Sequence, residues 1–192
     1  MLRTAAHRLY TNVLYTGTKP IVFATGPAGT GKTKIACDYA VHAIKSREFD
    51  RLVITRPVHG VDEDLGFLPG DIGDKMKPWM LPITDELGSH YRNTELAPLA
   101  YMRGRTFKNS LILADEMQNS TTEQMKMLLT RLGDNSRMIV TGDLRQTDRE
   151  VSGLKAAVDI LPRNMEYIDF VELGNEDILR HEAVKEILRY WV

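Results

Sequence analysis

The sequence predicts an α/β chain with a mainly parallel sheet. Three observations carry that expectation. A phosphate-binding loop pattern lies between a strand and a helix, a second apolar strand ends in paired carboxylates, and strand-like and helix-like stretches alternate along the chain. Alternation of this kind builds a parallel sheet joined by right-handed crossovers.

The loop is Gly26, Pro27, Ala28, Gly29, Thr30, Gly31, Lys32 and Thr33, which fits G-x-x-x-x-G-K-[ST] at every fixed position. Before it, Ile21-Val22-Phe23-Ala24-Thr25 is a β-branched and aromatic run that reads as a buried strand. After it, Lys34 continues into Ile35, Ala36, Tyr39, Ala40, Ala43 and Ile44 at helical spacing. Glycines let successive backbone N–H groups turn inward around phosphate oxygens, and the helix N-terminus adds positive potential. In such a loop Lys32 reaches the β- and γ-phosphates and the Thr33 hydroxyl ligates Mg²⁺. A glycine turn that merely precedes a helix would not need the flanking strand. The pattern points to a bound nucleoside triphosphate.

Leu111-Ile112-Leu113-Ala114 is a continuous apolar run of central-strand type, and it ends in Asp115-Glu116. An Asp at such a tip can hold Mg²⁺, and a second carboxylate can deprotonate the attacking water. A binding switch does not need that second acid. Met138-Ile139-Val140 forms a third strand, followed by Thr141-Gly142-Asp143-Leu144-Arg145-Gln146. Gln146 is placed to sense a γ-phosphate, because open α/β sheets bind ligands at the carboxyl ends of their strands.

The remaining elements follow in order. Residues 52–55 read as a strand. Residues 56–108 contain five prolines and are expected to form short helices over one edge of the sheet. A helix is expected over about 121–131, with Ser120 and Glu123 at capping-box spacing and Gly133 just past its end. A short helix over 154–160, a strand over 167–170 and a last helix over about 177–190 complete the chain. No repeat or linker interrupts it, so the expectation is one domain over residues 1–192.

The bulk composition sets outer limits. A chain of 192 residues can bury a core without disulfides, and its one cysteine, Cys37, fits a reducing compartment. No run approaches the ~20 apolar residues of a membrane span. Arg3 and Arg8 are not followed by an apolar segment of signal-peptide type. The expected location is therefore cytoplasmic. With 25 basic and 26 acidic residues, any nucleic-acid surface has to be a local patch.

Longer strings carry a resemblance. They include Thr55-Arg56-Pro57, Leu65-Gly66-Phe67-Leu68-Pro69-Gly70-Asp71 and Tyr101-Met102-Arg103-Gly104-Arg105-Thr106. Asp115-Glu116-Met117-Gln118-Asn119, Gln124-Met125-Lys126, Leu129-Thr130-Arg131, Ser152-Gly153-Leu154 and Arg180-His181 continue the series. Together with the phosphate loop they resemble the PhoH family, phosphate-starvation-inducible ATPases related to superfamily 1 RNA helicases. The resemblance implies a RecA-like P-loop NTPase, a three-layer sandwich, that hydrolyses ATP with Mg²⁺. It implies work on single-stranded RNA or another nucleic acid, helicase-like, as a homo-oligomer with six subunits the natural count. Two-domain helicases complete their site with an arginine from the second domain. Here Arg180 from a neighbouring copy would take that role.

The resemblance also exposes departures. The family's N-terminal pattern is similar to Thr-x-x-Gln-x-x-Tyr, with the Gln reading adenine, whereas this chain has Thr4, His7 and Tyr10. One imidazole tautomer makes a single such contact where an amide makes two. Met117 replaces a usual Ala, and Asp148-Arg149-Glu150 replaces Asp-Leu-Pro. The length resembles that of short forms from phage and other viruses, so the expected cytoplasm is a bacterium's own or, for a phage or viral protein, that of its host.

Several residues admit two readings. Arg103 and Arg105 beside Tyr101 could meet an RNA backbone and a stacked base, or a neighbouring subunit. Arg56 shares that ambiguity. Trp79 near Lys75 and Lys77 could be a nucleic-acid platform or packing. Two rival functions also stand beside ATP hydrolysis: a nucleotide-binding switch or scaffold with little turnover, and a P-loop phosphotransferase.

Overall fold

The computed structural model describes residues 4–57, 72–88, 94–147 and 151–179, with Ala183, Val184 and Glu186 beyond them. In chain order the elements are α1 (Ala5–Thr16), β1 (Ile21–Thr25), α2 (Lys32–Lys45), β2 (Arg51–Thr55), α3 (Ile72–Leu87) and β3 (Thr94–Leu96). Then come β4 (Ser110–Ala114), α4 (Thr122–Leu129), β5 (Arg137–Gly142), α5 (Gly153–Ile160) and β6 (Ile168–Glu172). The strands form one sheet in the order β3-β2-β4-β5-β1-β6, and every pair is parallel.

Strand side chains alternate faces, and the sequence uses both. Val22, Ala24, Ile54, Leu111, Leu113 and Ile139 pack against α1, α2 and α3. Phe23, Val53, Ile112, Ala114, Met138 and Val140 pack against α4 and α5. The result is the expected three-layer α/β sandwich. Each fully buried branched or aromatic side chain contributes on the order of 1.5–3 kcal/mol, so the two apolar faces fix which way every strand tip points.

Arg137, at the start of β5, ties α1 to the sheet. Its guanidinium is buried and donates to the carbonyls of Leu14 at 2.6 Å and Val13 at 2.8 Å, and to the Tyr39 hydroxyl at 3.1 Å. Its Nε is buried without a hydrogen-bond partner among the described residues, so the burial is offset by the bonds of the other two nitrogens, which tie the carbonyl end of α1 to the sheet.

Several elements differ from expectation. Among the described residues of 56–108 are a 16-residue helix, α3, an edge strand, β3, and a 3-10 turn over Leu99–Met102. Pro78 and Pro82 both lie inside α3 and both are exposed. Spaced by about one turn, they share an outer face, where a carbonyl freed by proline costs less than it would in the core. The capping box of α4 is one residue later than predicted: the Thr121 side chain accepts from Gln124 N, and the Gln124 side chain accepts from Thr121 N. Ser120 instead donates to the Met117 carbonyl. β6 starts at Ile168 and runs on to Glu172. The last helix does not begin at Asp177, because Asn175–Asp177 is a 3-10 turn and Ile178 is extended. Among the described residues no helix is long and apolar enough to cross a membrane.

Candidate functional site

The carboxyl ends of β1, β5, β4 and β2 converge on one place. From β1 the chain enters the glycine loop, where Gly26 has φ 151°. A Cβ there would collide with the Leu173 carbonyl, so only glycine lets the loop pass β6. Gly31 has φ 84° and leads into α2. The loop is pinned from outside by Leu179 N, which donates to the Gly29 carbonyl at 2.8 Å.

Lys32 is 8% exposed, and its ammonium donates to the carbonyls of Gly26 at 2.6 Å and Pro27 at 2.8 Å. Burial lowers its pKa, while the charges of Asp143, Glu116 and Asp115 act in the opposite direction. A cation held in a desolvated loop gains by meeting an anion. Asp143 faces the same loop, where its Oδ2 accepts from Ala28 N at 3.2 Å.

Across from the loop, Asp115 is 2% exposed. Its Oδ1 accepts from the Thr33 hydroxyl at 2.9 Å and from the Thr141 hydroxyl at 2.5 Å. Its Oδ2 lies 3.3 Å from Arg56 Nε. Glu116 follows with φ 55° and ψ 35°, a left-handed conformation that costs a non-glycine residue on the order of 1–2 kcal/mol. The strain turns the chain off the strand and sets the second carboxylate beside the first. Glu116 Oε2 accepts from Gln118 Nε2 at 2.5 Å, and Oε1 lies 3.5 Å from Arg56 Nη2. Gln118 Oε1 in turn accepts from Asp143 N at 3.1 Å.

Two cavities flank the loop. One of about 190 Å³ lies where α1 meets the start of α2 and is lined by Thr11, Tyr15, Gly31, Lys34, Ile35 and Asp38. The other, of about 280 Å³, lies between Gly26, Pro27, Arg145 and the chain beyond β6.

A family model for PhoH-like proteins matches residues 1–191. The chain belongs to the PhoH family. Among curated relatives it is 46% identical over 182 residues to a PhoH-like protein of Mycobacterium bovis, covering 88% of this chain and 51% of that one. It is 45% identical over 186 residues to Protein PhoH of Escherichia coli K12, covering 88% and 52%. The chain thus spans about half the length of these PhoH relatives. Similar solved structures include the Pif1 helicase from Candida albicans, at TM-score 0.49 and 11% identity, covering 98% of this chain and 44% of that one. Bacteroides Pif1 bound to ssDNA has TM-score 0.44 and 14% identity, covering 98% and 46%.

Of the residues expected to form a site in this PhoH chain, the structure brings Lys32, Thr33, Asp115 and Glu116 together. Gln146 lies three residues beyond Asp143 and is exposed. His7 is fully buried beneath the loop, where its Nε2 donates to the Thr30 carbonyl at 2.8 Å. It anchors the loop backbone and does not line the 190 Å³ cavity. Arg105 reaches Glu95 at 2.5 Å and stacks 4.5 Å from the Phe107 ring centre, whereas Tyr101 and Arg103 are exposed. Arg180, His181, residues 65–71 and residues 148–150 lie outside the described residues, as do the side chains of Lys75, Lys77 and Trp79.

From sequence, Thr141 and Gln118 have no role of their own, Arg56 reads as a contact to nucleic acid or to a neighbouring subunit, and Asp143 reads only as part of a strand-tip cluster. For two of them a signal existed: Arg56 and Thr141 continue the alternation of Ile54 and Ile139, which places them on the Asp115 face.

Proposed function

We propose that this chain hydrolyses ATP with Mg²⁺ and does so within a homo-oligomer, a hexameric ring, that acts on single-stranded RNA or another single-stranded nucleic acid. The observation that carries the reading is the 2.9 Å contact between Thr33 and Asp115. It joins the helix of the phosphate loop to the acidic strand tip, with Glu116 next along the chain.

A hydroxyl and a carboxylate oxygen suit Mg²⁺, a hard cation that takes one or two protein oxygens and fills its shell with water and phosphate. Thr33 and Asp115 would hold it. Bound there, the ion would supply neutralisation of charge on the β- and γ-phosphates. Lys32 turns from the Gly26 and Pro27 carbonyls to face the same phosphates. Glu116 accepts a proton from the attacking water. The water oxygen bonds to the γ-phosphorus as the bond to the β,γ-bridging oxygen breaks, leaving ADP and inorganic phosphate. Gln146 senses the γ-phosphate, and Arg180 of a neighbouring copy stabilises the charge that builds on it. The cavity beside Gly31 and Lys34 has the size and the mixed lining for a base. Tyr101, 54% exposed, offers a ring for stacking a nucleic-acid base beside Arg103.

Phosphate release by the purified protein tests this, with and without single-stranded RNA and DNA, across protein concentration. The expected result is Mg²⁺-dependent release that rises more steeply than protein concentration and is lost in Lys32→Ala. ADP formed only when a small acceptor is present would make the chain a phosphotransferase. ATP bound without turnover would make it a switch.

A further inference from the structure

Arg56 is the first residue past β2, and β2 pairs with β4 in parallel with Thr55 opposite Ala114. The last rung of that ladder is Asp115 N donating to the Thr55 carbonyl at 3.0 Å. One residue further, the alternation turns Arg56 and Asp115 to the same face of the sheet. The Arg56 side chain is 16% exposed and lies against both carboxylates, with Nε 3.3 Å from Asp115 Oδ2 and Nη2 3.5 Å from Glu116 Oε1. So little exposure, directed inward, does not suit a contact with a nucleic-acid backbone or a neighbouring subunit.

The oxygens of the acidic pair are thereby divided among fixed partners. Asp115 Oδ1 faces Thr33 and Thr141, and Oδ2 faces Arg56. Glu116 Oε2 faces Gln118, and Oε1 faces Arg56. Arg56 is the one described side chain that touches both carboxylates among these partners. Two adjacent carboxylates repel each other, and a planar guanidinium with donors in a rigid fork can bridge them where a point charge cannot.

We infer that Arg56 is a positioning residue that clamps Asp115 and Glu116 in a fixed mutual orientation and, by its charge, weakens the hold of the acidic pair on a divalent cation. The inference rests on the reading of this site as an ATPase centre. Its two consequences separate in experiment. The clamp sets the direction of the Glu116 carboxylate and hence the rate of the chemical step. The charge sets how much Mg²⁺ is needed, because a fixed cation beside Asp115 opposes a second cation at the other oxygen.

The test uses the full chain with Arg56→Ala, Arg56→Gln and Arg56→Lys. Binding of a fluorescent ADP is titrated with Mg²⁺, and phosphate release is measured at saturating Mg²⁺. In Arg56→Ala and Arg56→Gln the Mg²⁺ concentration for half-maximal binding should fall at least threefold. In Arg56→Lys, which keeps the charge, it should stay within twofold of the parent. The kcat should fall ~10–10²-fold in the two neutral variants, as for loss of orientation at a reacting group, with KM for ATP within threefold. Arg56→Lys should lie between them and the parent.

Unchanged Mg²⁺ dependence in the neutral variants, or an equal change in Arg56→Lys, overturns the electrostatic half. An unchanged kcat overturns the clamp. If Arg56→Ala does not fold, Arg56→Gln against Arg56→Lys decides the same question. A parent that releases no phosphate defeats the ATPase reading instead, and the Mg²⁺ titration then still decides whether Arg56 opposes the cation.

Discussion

Gln118 holds Glu116 by a hydrogen bond of 2.5 Å from its Nε2 to Glu116 Oε2, and it is itself held, its Oε1 accepting from Asp143 N at 3.1 Å. Both ends of the amide are used, so its orientation is fixed and the tip of β5 is linked to the carboxylate beyond β4. A base that must point at a water gains from such a tether, since misplacement by about 1 Å can cost ~10²-fold in rate. Gln118→Ala should lower kcat ~10–10²-fold and leave KM for ATP within threefold. Gln118→Glu should be at least as slow, because it sets a third carboxylate against Glu116. Steady-state phosphate release on both variants checks this, and a Gln118→Ala enzyme with full kcat would remove the tether from the mechanism.

Glu116 itself gives a sharper prediction. Glu116→Gln should bind ATP with Mg²⁺ at least as tightly as the parent and hydrolyse it ~10²–10⁴-fold more slowly, the usual loss with a general base. The neutral amide can still sit beside Arg56 and no longer repels a γ-phosphate. Single-turnover hydrolysis with binding measured in parallel separates the two effects. Near-normal turnover would move water activation to Gln146.

The sequence reached the centre of this site because its chemistry is local. A glycine loop between a strand and a helix, and two acids at a strand tip, are patterns within a few residues, and Lys32, Thr33, Asp115 and Glu116 do meet. Supporting contacts were less legible. Gln118 was legible only as a member of the acidic string, and the left-handed backbone at Glu116 that folds it back has no signature in a glutamate. Asp143 was legible as a member of a strand-tip cluster, but its contact with Ala28 was not, because it joins residues 115 positions apart. Arg137 shows the same limit, as a strand residue whose partners, Leu14 and Val13, lie on a helix more than a hundred residues away. In the fold, β3 escaped notice because three residues of mixed polarity are an edge strand only once β2 lies beside them. The break before the last helix escaped because Ile178 and Leu179 keep apolar spacing while Leu179 N is drawn to Gly29.

His7 stands where the family pattern has a base-reading Gln, and in this structure its ring supports the loop. Its Nε2 donates to the Thr30 carbonyl at 2.8 Å, and its Nδ1 is buried without a hydrogen-bond partner among the described residues. His7→Ala would leave a buried carbonyl unsatisfied, at a cost of ~1–3 kcal/mol. At ~2–4 °C per kcal/mol for a chain of this size, the melting temperature should fall by several degrees. Nucleotide affinity should weaken, and the ratio of ATP to GTP affinity should stay put. A large change in that ratio, with an unchanged melting temperature, would return His7 to the base.

The last prediction concerns Arg180 and assembly. A guanidinium brought to the γ-phosphate in the transition state can be worth ~10³–10⁵-fold in rate. If a neighbouring copy donates it, activity depends on assembly. Arg180→Ala should then bind ATP nearly as the parent does, still assemble, and hydrolyse very slowly. Lys32→Ala lacks the loop cation but keeps its own arginine. Mixing the two inactive proteins should therefore restore activity, because a mixed interface can pair an intact loop with an intact arginine. Subunit exchange is checked in the same samples by mass measurement of labelled copies. Exchange without recovered activity would overturn donation in trans, and so would a strictly monomeric species that hydrolyses ATP at the full rate. Arg145 would then be the better candidate, since it lines the cavity beside Gly26 and Pro27 within its own chain. Arg145→Ala would be expected to lose the rate that Arg180→Ala had kept.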